Sequence, residues 1–474
     1  MTSTPIRAAD QTWLHMDRLD NLLHVRCLMW LEAEPDLDTL RALLQERLVD
    51  RHPVLRRRAS ERDGEWFWED ADDFDVADHV RLVRLDGDDA ALRTWIGERF
   101  AEPFTPGRPL WSADLVTGIE GRGAALFCRV HHAVTDGVRL VQLMFSLCET
   151  EAGGTVPLPV GRPPRTAGLL GSAAAVVRRA TADLADLALG STRAPLRLAT
   201  SLSPRLLPQG LGLVRHPHRL IDLVQGLSST DNQTVNTVAE LGRVLTASRT
   251  PRTAWTGRPG VEKSVAWVTD LDLAHVRALG REHGGTVNDV LVALVAQALT
   301  RYLAEKDALV DEVAWMVPVT LRPFDESLPE ELGNHFSLVF LPMPLGSRTP
   351  RQAVAAVRQR MERIKNSLEP VVTFGVQWAV AESPRLVAHR VTNLLADKAV
   401  GVLTNVPGPR RPVRLAGMRV THVLGWVPSS GHQPLGVCLF SYAGAVTVGI
   451  AADTGLVPDP DRIAELIEEE YRSW

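Results

Sequence analysis

Hydrophobic positions recur along residues 1–155 at helical spacing in some stretches and at strand spacing in others. In DLDTLRALLQERLVDRHPVLR (36–56), Leu40, Leu43, Leu44 and Leu48 fall on one face of a helix, and Pro53 ends it. EWFWED (65–70) and ALFCRV (125–130) read as strands. ALRTWIGERFAEPF (91–104) reads as a helix, and VRLVQLMFSLCE (138–149) as a mostly apolar, buried one.

The pattern changes after PLPVGRPPR (157–165), a break rich in proline and arginine. Helix-like pieces rich in Ala, Leu and Arg follow, and residues 161–260 hold 13 arginines against 5 acids. A basic amphipathic helix of this kind either lies on an anionic membrane or packs against its own protein with arginine on the wet face. A second alternating unit begins near residue 263. KSVAWVTDLD (263–272) is strand-like and LAHVRALGREHG (273–284) helical; TVNDVLVALVAQALTRYLAEK (286–306) is a long helix. EVAWMVPVTLR (312–322) and FSLVFLPMPLG (336–346) are strand-like, and RQAVAAVRQRMERIKNSL (351–368) is a charged helix. RLAGMRVTHVLGWVP (414–428), GVCLFSYAG (436–444) and AVTVGIAAD (445–453) read as a meander, and a closing helix starts at Pro460 with Asp459 as its N-cap. The expected organisation is α/β: one unit over 1–160, a helical basic linker over 161–260 and a second unit over 261–474, with exchange of elements between the units.

The bulk properties narrow the function classes. The 474 residues carry a formal charge of −5 and are 45% apolar, which gives no sign of a nucleic-acid binder. Cys27, Cys128, Cys148 and Cys438 form no CxxC pair, which argues against a zinc site or disulfide framework and for reduced thiols. No secretory h-region and no run of about 18 apolar residues is visible. A cytoplasmic protein is expected, with peripheral attachment to the inner membrane face or to lipid inclusions as a separate hypothesis.

The chemistry concentrates in RVHHAVTDG (129–137). If the strand holds to its end, His131 and His132 point to opposite faces, with His132 extending the more apolar one. They then cannot serve the same atom. Metal binding needs three or four converging ligands and no third appears at a familiar spacing, so no metal is expected. Two readings stand: a structural histidine pair, or one general base beside one supporting residue, since neutral imidazole takes a proton at pH 7. Asp136 then either orients the base or pairs with an arginine to hold the loop. Gly137 removes a Cβ where chain or ligand comes close.

HHAVTDG resembles the HHxxxDG motif of the acyl-CoA-dependent acyltransferase superfamily. RPLW (108–111), VNDVLVA (287–293), LGN (332–334) before a strand reaching LP, TNVPGP (404–409) followed by LAG, and FDVADHV (74–80) are similar, in order, to blocks of the wax ester synthase/diacylglycerol acyltransferase family. The opening DQTWLHMDRLDNLLHV departs from that family's usual start, and Val138 and Arg139 stand where members often carry small residues. The resemblance implies two chloramphenicol-acetyltransferase-like domains, each a mixed sheet flanked by helices, with the active site in a tunnel between them. It implies transfer of a long-chain acyl group from acyl-CoA, a substrate and not a cofactor, to diacylglycerol or a fatty alcohol, without a covalent enzyme intermediate. His132 would be the base, and His131 and Gly137 would support it. Asn288 would either donate to the oxyanion or cap its helix, with Asn405 a second polar group near the tunnel. Asp136 would pair with Arg322 across the domains, and Pro109 and Trp111 would pack beneath the site. A relative acting on another alcohol, such as a natural-product hydroxyl, and a non-catalytic lipid-binding relative are the competing readings.

Overall fold

The computed structural model describes residues 3–157, 251–320, 331–334, 336–367 and 385–474, with isolated positions at 328, 369, 373 and 377. Most of the basic stretch expected as a linker lies outside the described residues, as does Arg322. The first part of the chain supplies β1 (Ser3–Pro5), β2 (His24–Leu31), β3 (Arg57–Arg62), β4 (Glu65–Asp70), β5 (Val80–Gly87), β6 (Trp111–Ile119), β7 (Ala124–His131) and β8 (Glu149–Thr150). The later part supplies β9 (Lys263–Asp272), β10 (Glu312–Thr320), β11 (Phe336–Pro344), β12 (Gly401–Pro407), β13 (Val413–Leu415), β14 (Met418–Trp426), β15 (Leu435–Tyr442) and β16 (Ala445–Asp453).

Two mixed sheets carry the architecture. One runs β5-β6-β7-β2-β14-β13-β8 and the other β11-β10-β12-β15-β16-β9; a small sheet, β1-β4-β3, stands apart. The expected meander is therefore broken. β15 and β16 pair with each other, but β14 crosses to the first sheet and pairs antiparallel with β2, Leu424 opposite Leu28. The reason is packing on both faces: Val423, Leu424 and Trp426 are all buried, so β14 satisfies a position between two layers that an exposed hairpin strand would not. Its backbone comes so close to β16 that a Cβ on Gly449 would lie 2.4 Å from the Gly425 carbonyl oxygen.

Each sheet has its own apolar core. In the second unit the core forms around the helix Val287–Glu305, which is capped by Thr286 and Asp289 in a reciprocal box. By length and composition that helix is apolar enough to cross a bilayer, yet twelve of its residues are buried within the protein. A third cluster joins the units: Leu28, Trp30 and Phe127 meet Trp267, Leu424 and Trp426. Burying one Phe-sized side chain contributes roughly 1.5–3 kcal/mol, so this cluster holds the two sheets in fixed relation.

Two local expectations change. The helix over 36–56 is α-helical from Leu37 to Leu44, then widens to a π turn at Gln45–Val49 and ends before Pro53. Asp459 precedes the closing helix Pro460–Ser473 but makes no capping bond; its carboxylate instead accepts from the Tyr302 hydroxyl at 2.5 Å and Lys306 Nζ at 2.7 Å.

Candidate active site

β7 runs to His131, one residue past the stretch read as a strand, and the two histidines diverge. The His132 N–H donates to the Leu23 carbonyl at 2.8 Å, which prolongs the β2–β7 pairing past the strand. Asp136 then caps the helix Gly137–Ser146 by accepting from the Arg139 N–H at 2.9 Å. His131 turns into a buried polar cluster. Its Nδ1 accepts from the Ala133 N–H at 3.0 Å, its Nε2 lies 3.6 Å from Asp17, and His24 sits edge-on to it.

His132 turns the other way, toward a cavity. Its Nδ1 is 2.8 Å from Asn334 Oδ1. The Asn334 amide is oriented by its other end, where Nδ2 donates to Asp10 Oδ1 at 2.8 Å and to the His132 carbonyl at 2.8 Å. Two acceptors on one side of the amide place its oxygen toward the ring. Nδ1 therefore carries the proton and Nε2 keeps its lone pair. Asp10 is itself fixed by Arg7 at 2.6 Å. Trp13 stacks on the imidazole with centroids 4.0 Å apart and planes 12° apart, and Phe336 approaches the ring at 5.5 Å. Burial lowers the His132 pKa to about 4, with the Asn334 bond acting in the opposite sense, so the ring is neutral at pH 7.

The cavity has a volume of about 350 Å³ and takes its walls from both sheets. Leu23 and Val25 come from the β2 side, Val317 and Val319 from β10, and Val406 and Phe440 from β12 and β15. An apolar enclosure with few polar groups suits a hydrocarbon chain. Asn288 and Asn405 both line it. Asn405 Nδ2 donates to Asn288 Oδ1 at 2.9 Å, across 117 residues of sequence. Asn288 is not the N-cap of its helix, since Thr286 holds that place. With its oxygen engaged by Asn405, the Asn288 amide N–H₂ is left to face other acceptors.

The remaining expected residues fall in different places. Gly137 lines the cavity, but no chain crowds it: a Cβ there would meet only Val25 Cγ1, at 3.9 Å. Of the two alternatives, chain or ligand, no chain comes close, and the glycine leaves the cavity side open. Val138 lines the cavity; Arg139 is buried and turns away to Gln142 Oε1 at 2.7 Å. Trp111 is buried, donates through Nε1 to the Leu55 carbonyl at 2.6 Å and stacks on His79, and Pro109 is buried beside Arg58. Neither lines the cavity, in keeping with a packing role. The expected Asp136–Arg322 pair lies outside the described residues through Arg322. Among the described residues no cluster of three or more His, Cys, Asp or Glu could hold a metal.

Sequence reasoning missed Asp10, Trp13, Asn334 and Phe336 as neighbours of His132. The signal for Asn334 was present in the LGN tripeptide, which marks family likeness but not a partner. Asp10 and Trp13 lie in the opening segment, which departs from the family pattern and carries no motif that marks them.

A family model described as the wax ester synthase/diacylglycerol acyltransferase catalytic domain matches residues 6–291, and one described as the C-terminal domain of the same family matches residues 332–473. A Mycobacterium tuberculosis protein provisionally named diacylglycerol O-acyltransferase is 26% identical over 97% of this chain and 89% of its own length. A second protein of that organism, named in the same provisional way, is 25% identical over 85% of this chain and 80% of its own. Among solved structures, the wax ester synthase/diacylglycerol acyltransferase from Marinobacter aquaeolei VT8 superposes with a TM-score of 0.65 at 19% identity, covering 99% of this chain and 98% of its own. The first condensation domain of the calcium-dependent antibiotic synthetase superposes with a TM-score of 0.58 at 16% identity, covering 99% and 97%, so the fold is shared with that condensation domain as well. With both domain models matched in order over most of its length, this chain belongs to the wax ester synthase/diacylglycerol acyltransferase family of enzymes.

Proposed function

We propose that the protein transfers a long-chain acyl group from acyl-CoA to the hydroxyl of an alcohol, diacylglycerol or a fatty alcohol in the first instance, with His132 as general base. The observation that carries this reading is the tautomer of His132: a neutral ring with Nδ1–H bound to Asn334 and a lone pair on Nε2, at the wall of an apolar cavity. Nε2 takes the hydroxyl proton as the alcohol oxygen attacks the thioester carbonyl. The tetrahedral oxyanion accepts from the Asn288 amide. The C–S bond then breaks, the ester leaves, and the CoA thiolate recovers the proton from the imidazolium. Thiolate is a fair leaving group because thiols ionise near pKa 8.5. A positioned base contributes roughly 10²–10⁴ in rate and an oxyanion donor roughly 10²–10³. No nucleophile of the protein and no cofactor enters this scheme.

The same reading includes peripheral attachment to anionic lipid surfaces from the cytoplasmic side. It is supported by the 13 arginines against 5 acids in residues 161–260 and by the apolar character of the products. Flotation with anionic vesicles at low salt tests it, and failure to float removes it.

The decisive experiment is thiol release from palmitoyl-CoA with hexadecanol and with dioleoylglycerol, on wild type and on His132→Ala. Alcohol-dependent release that disappears in the variant is expected. Release that persists in the variant would overturn the role of His132. No release with any alcohol would favour a lipid-binding relative without turnover.

A further inference from the structure

Gly425 lies within β14, directly opposite Cys27 of β2. A glycine inside a strand weakens it, because it brings no side chain to pack, and such a residue marks a close backbone or a ligand. Backbone does not explain this one. Its φ is outside the left-handed region, so any residue could adopt the conformation. A Cβ at this position would meet two atoms within 4 Å, Cys438 Sγ at 3.2 Å and the Arg26 carbonyl oxygen at 3.7 Å. Gly449 differs, since a Cβ there would strike the Gly425 carbonyl oxygen. What a side chain on Gly425 would enter is the cavity, whose wall it forms together with Cys27 and Cys438.

That part of the wall is remote from the base. The β2–β7 register, His24 opposite His131, puts His132 opposite Leu23 and on one face with Val25 and Cys27. Leu23, Val25 and Cys27 all line the cavity. From Leu23 to Cys27 the chain advances about 13 Å. The next pair on the same face, Met29 opposite Val423, is 0% and 1% exposed and lines no part of the cavity. Along β2 and β14 the cavity therefore closes at Cys27 and Gly425, where Cys438 of β15 reaches over from the second sheet. Burial pushes the Cys27 thiol up to about 12 and the Cys438 thiol up to about 11, so both stay uncharged and act as small apolar groups.

We propose that the unbranched hydrocarbon chain of one substrate runs from His132 along Leu23 and Val25 to Gly425, and that Gly425 and Cys438 together set the chain length the enzyme prefers. The inference rests on the acyl-transfer reading for its chemistry, while the chain site rests on the glycine and the thiol. With no side chain at 425, the end of the channel is bounded by one movable sulfur. A larger residue there fills the last part of the channel and leaves the part beside the base open. Removal of the sulfur gives space back. Both the acyl chain of the donor and the chain of a fatty alcohol have this chemistry, and varying them one at a time tells which is measured.

The test measures thiol release from octanoyl- to palmitoyl-CoA with hexadecanol, and from palmitoyl-CoA with octanol to hexadecanol, on wild type, Gly425→Val and Gly425→Ala/Cys438→Ala. Binding of fatty acids from octanoate to palmitate is followed in parallel by tryptophan fluorescence, since Trp13 and Trp426 line the cavity. In one of the two series the ratio of kcat/KM for the longest chain to that for the shortest is expected to fall roughly tenfold or more in Gly425→Val. It should return toward wild type in the double variant, where the sulfur has been removed. If Gly425→Val does not fold, Gly425→Ala takes its place, because its Cβ displaces one thiol and meets no backbone atom closer than 3.7 Å. Losses equal at every chain length in both series, or unchanged profiles, would overturn the proposal and leave acyl transfer standing. A shift toward shorter fatty acids in binding, without turnover of any alcohol, would uphold the chain site and overturn the acyl-transfer reading. Neither turnover nor a shift in binding would overturn both.

Discussion

Asn334 holds His132 at two points: its Oδ1 lies 2.8 Å from the ring Nδ1, and its Nδ2 donates to the His132 carbonyl at 2.8 Å. The second Nδ2 bond, to Asp10, ties this pair to the N-terminal helix Ala8–Met16. With His132 in the proposed role of base, Asn334 would act on the reaction through it, as a positioning residue. Asn334→Leu is expected to lower kcat by roughly tenfold to a hundredfold, a part of what a positioned base contributes, with KM for acyl-CoA little changed. Asn334→Asp should restore an acceptor at Nδ1 but place a carboxylate beside the ring, which favours the charged imidazole and moves the acid limb of the pH–rate profile upward. Equal kcat in all three proteins would remove the role of Asn334.

Burial lowers the His132 pKa from 6.5 to about 4. Between those values the unfolded chain binds more protons at this position than the folded one. Stability contributed by the neutral ring is therefore intact above pH 6.5 and is lost as pH falls toward 4, by about 3 kcal/mol across the window. His24 is shifted in the same direction, chiefly by burial, and adds to the loss. Melting curves of wild type and His132→Gln from pH 7 to 4 should diverge, the variant being less sensitive to acid. Parallel curves would show that His132 titrates near its ordinary value in the fold.

Asp136 is buried and caps the helix that follows the histidines. Asp136→Ala removes the cap, at about 1 kcal/mol of stability, and leaves the Arg139 N–H without that acceptor. Asparagine caps nearly as well, so Asp136→Asn isolates the charge. If the carboxylate pairs with Arg322 and holds the two units together, Asp136→Asn lowers Tm and kcat in step. Activity lost at unchanged Tm would assign the charge to the chemistry instead.

Much of this site was legible because its pieces are local. The strand leading into the two histidines, their divergence and the long apolar helix after Thr286 follow from spacing and residue type within a few positions. What escaped is long-range. The β-branched residues Val420, Thr421 and Val423 announce a strand but not which sheet it joins, and only burial on both faces sends β14 to β2. Asn334 lies 202 residues from His132, and nothing beside it in sequence names that partner. Arg26, with His24, interrupts the apolar pattern of HVRCLMWL and by composition reads as one wet position. The fold makes it a buried cation because the neighbours that enclose it, Phe100 and the β14 side, arrive from elsewhere in the chain.

Asn405 and Asn288 provide the final test, because their bond joins β12 to the start of the long helix. Asn405 engages Asn288 Oδ1, which fixes the Asn288 amide with its N–H₂ available to the cavity. If Asn288 stabilises the oxyanion, Asn288→Ala lowers kcat by roughly 10²–10³ while Tm changes little, since Thr286 and Asp289 cap the helix without it. Asn405→Ala leaves the donor in place but frees it to rotate, so its loss should be smaller and should largely vanish in the double variant, whose activity matches Asn288→Ala alone. That non-additivity separates an orienting residue from an independent one. Additive losses would make Asn405 a second donor to the substrate, and a fall in Tm without a fall in kcat would reduce Asn288 to a helix-end residue.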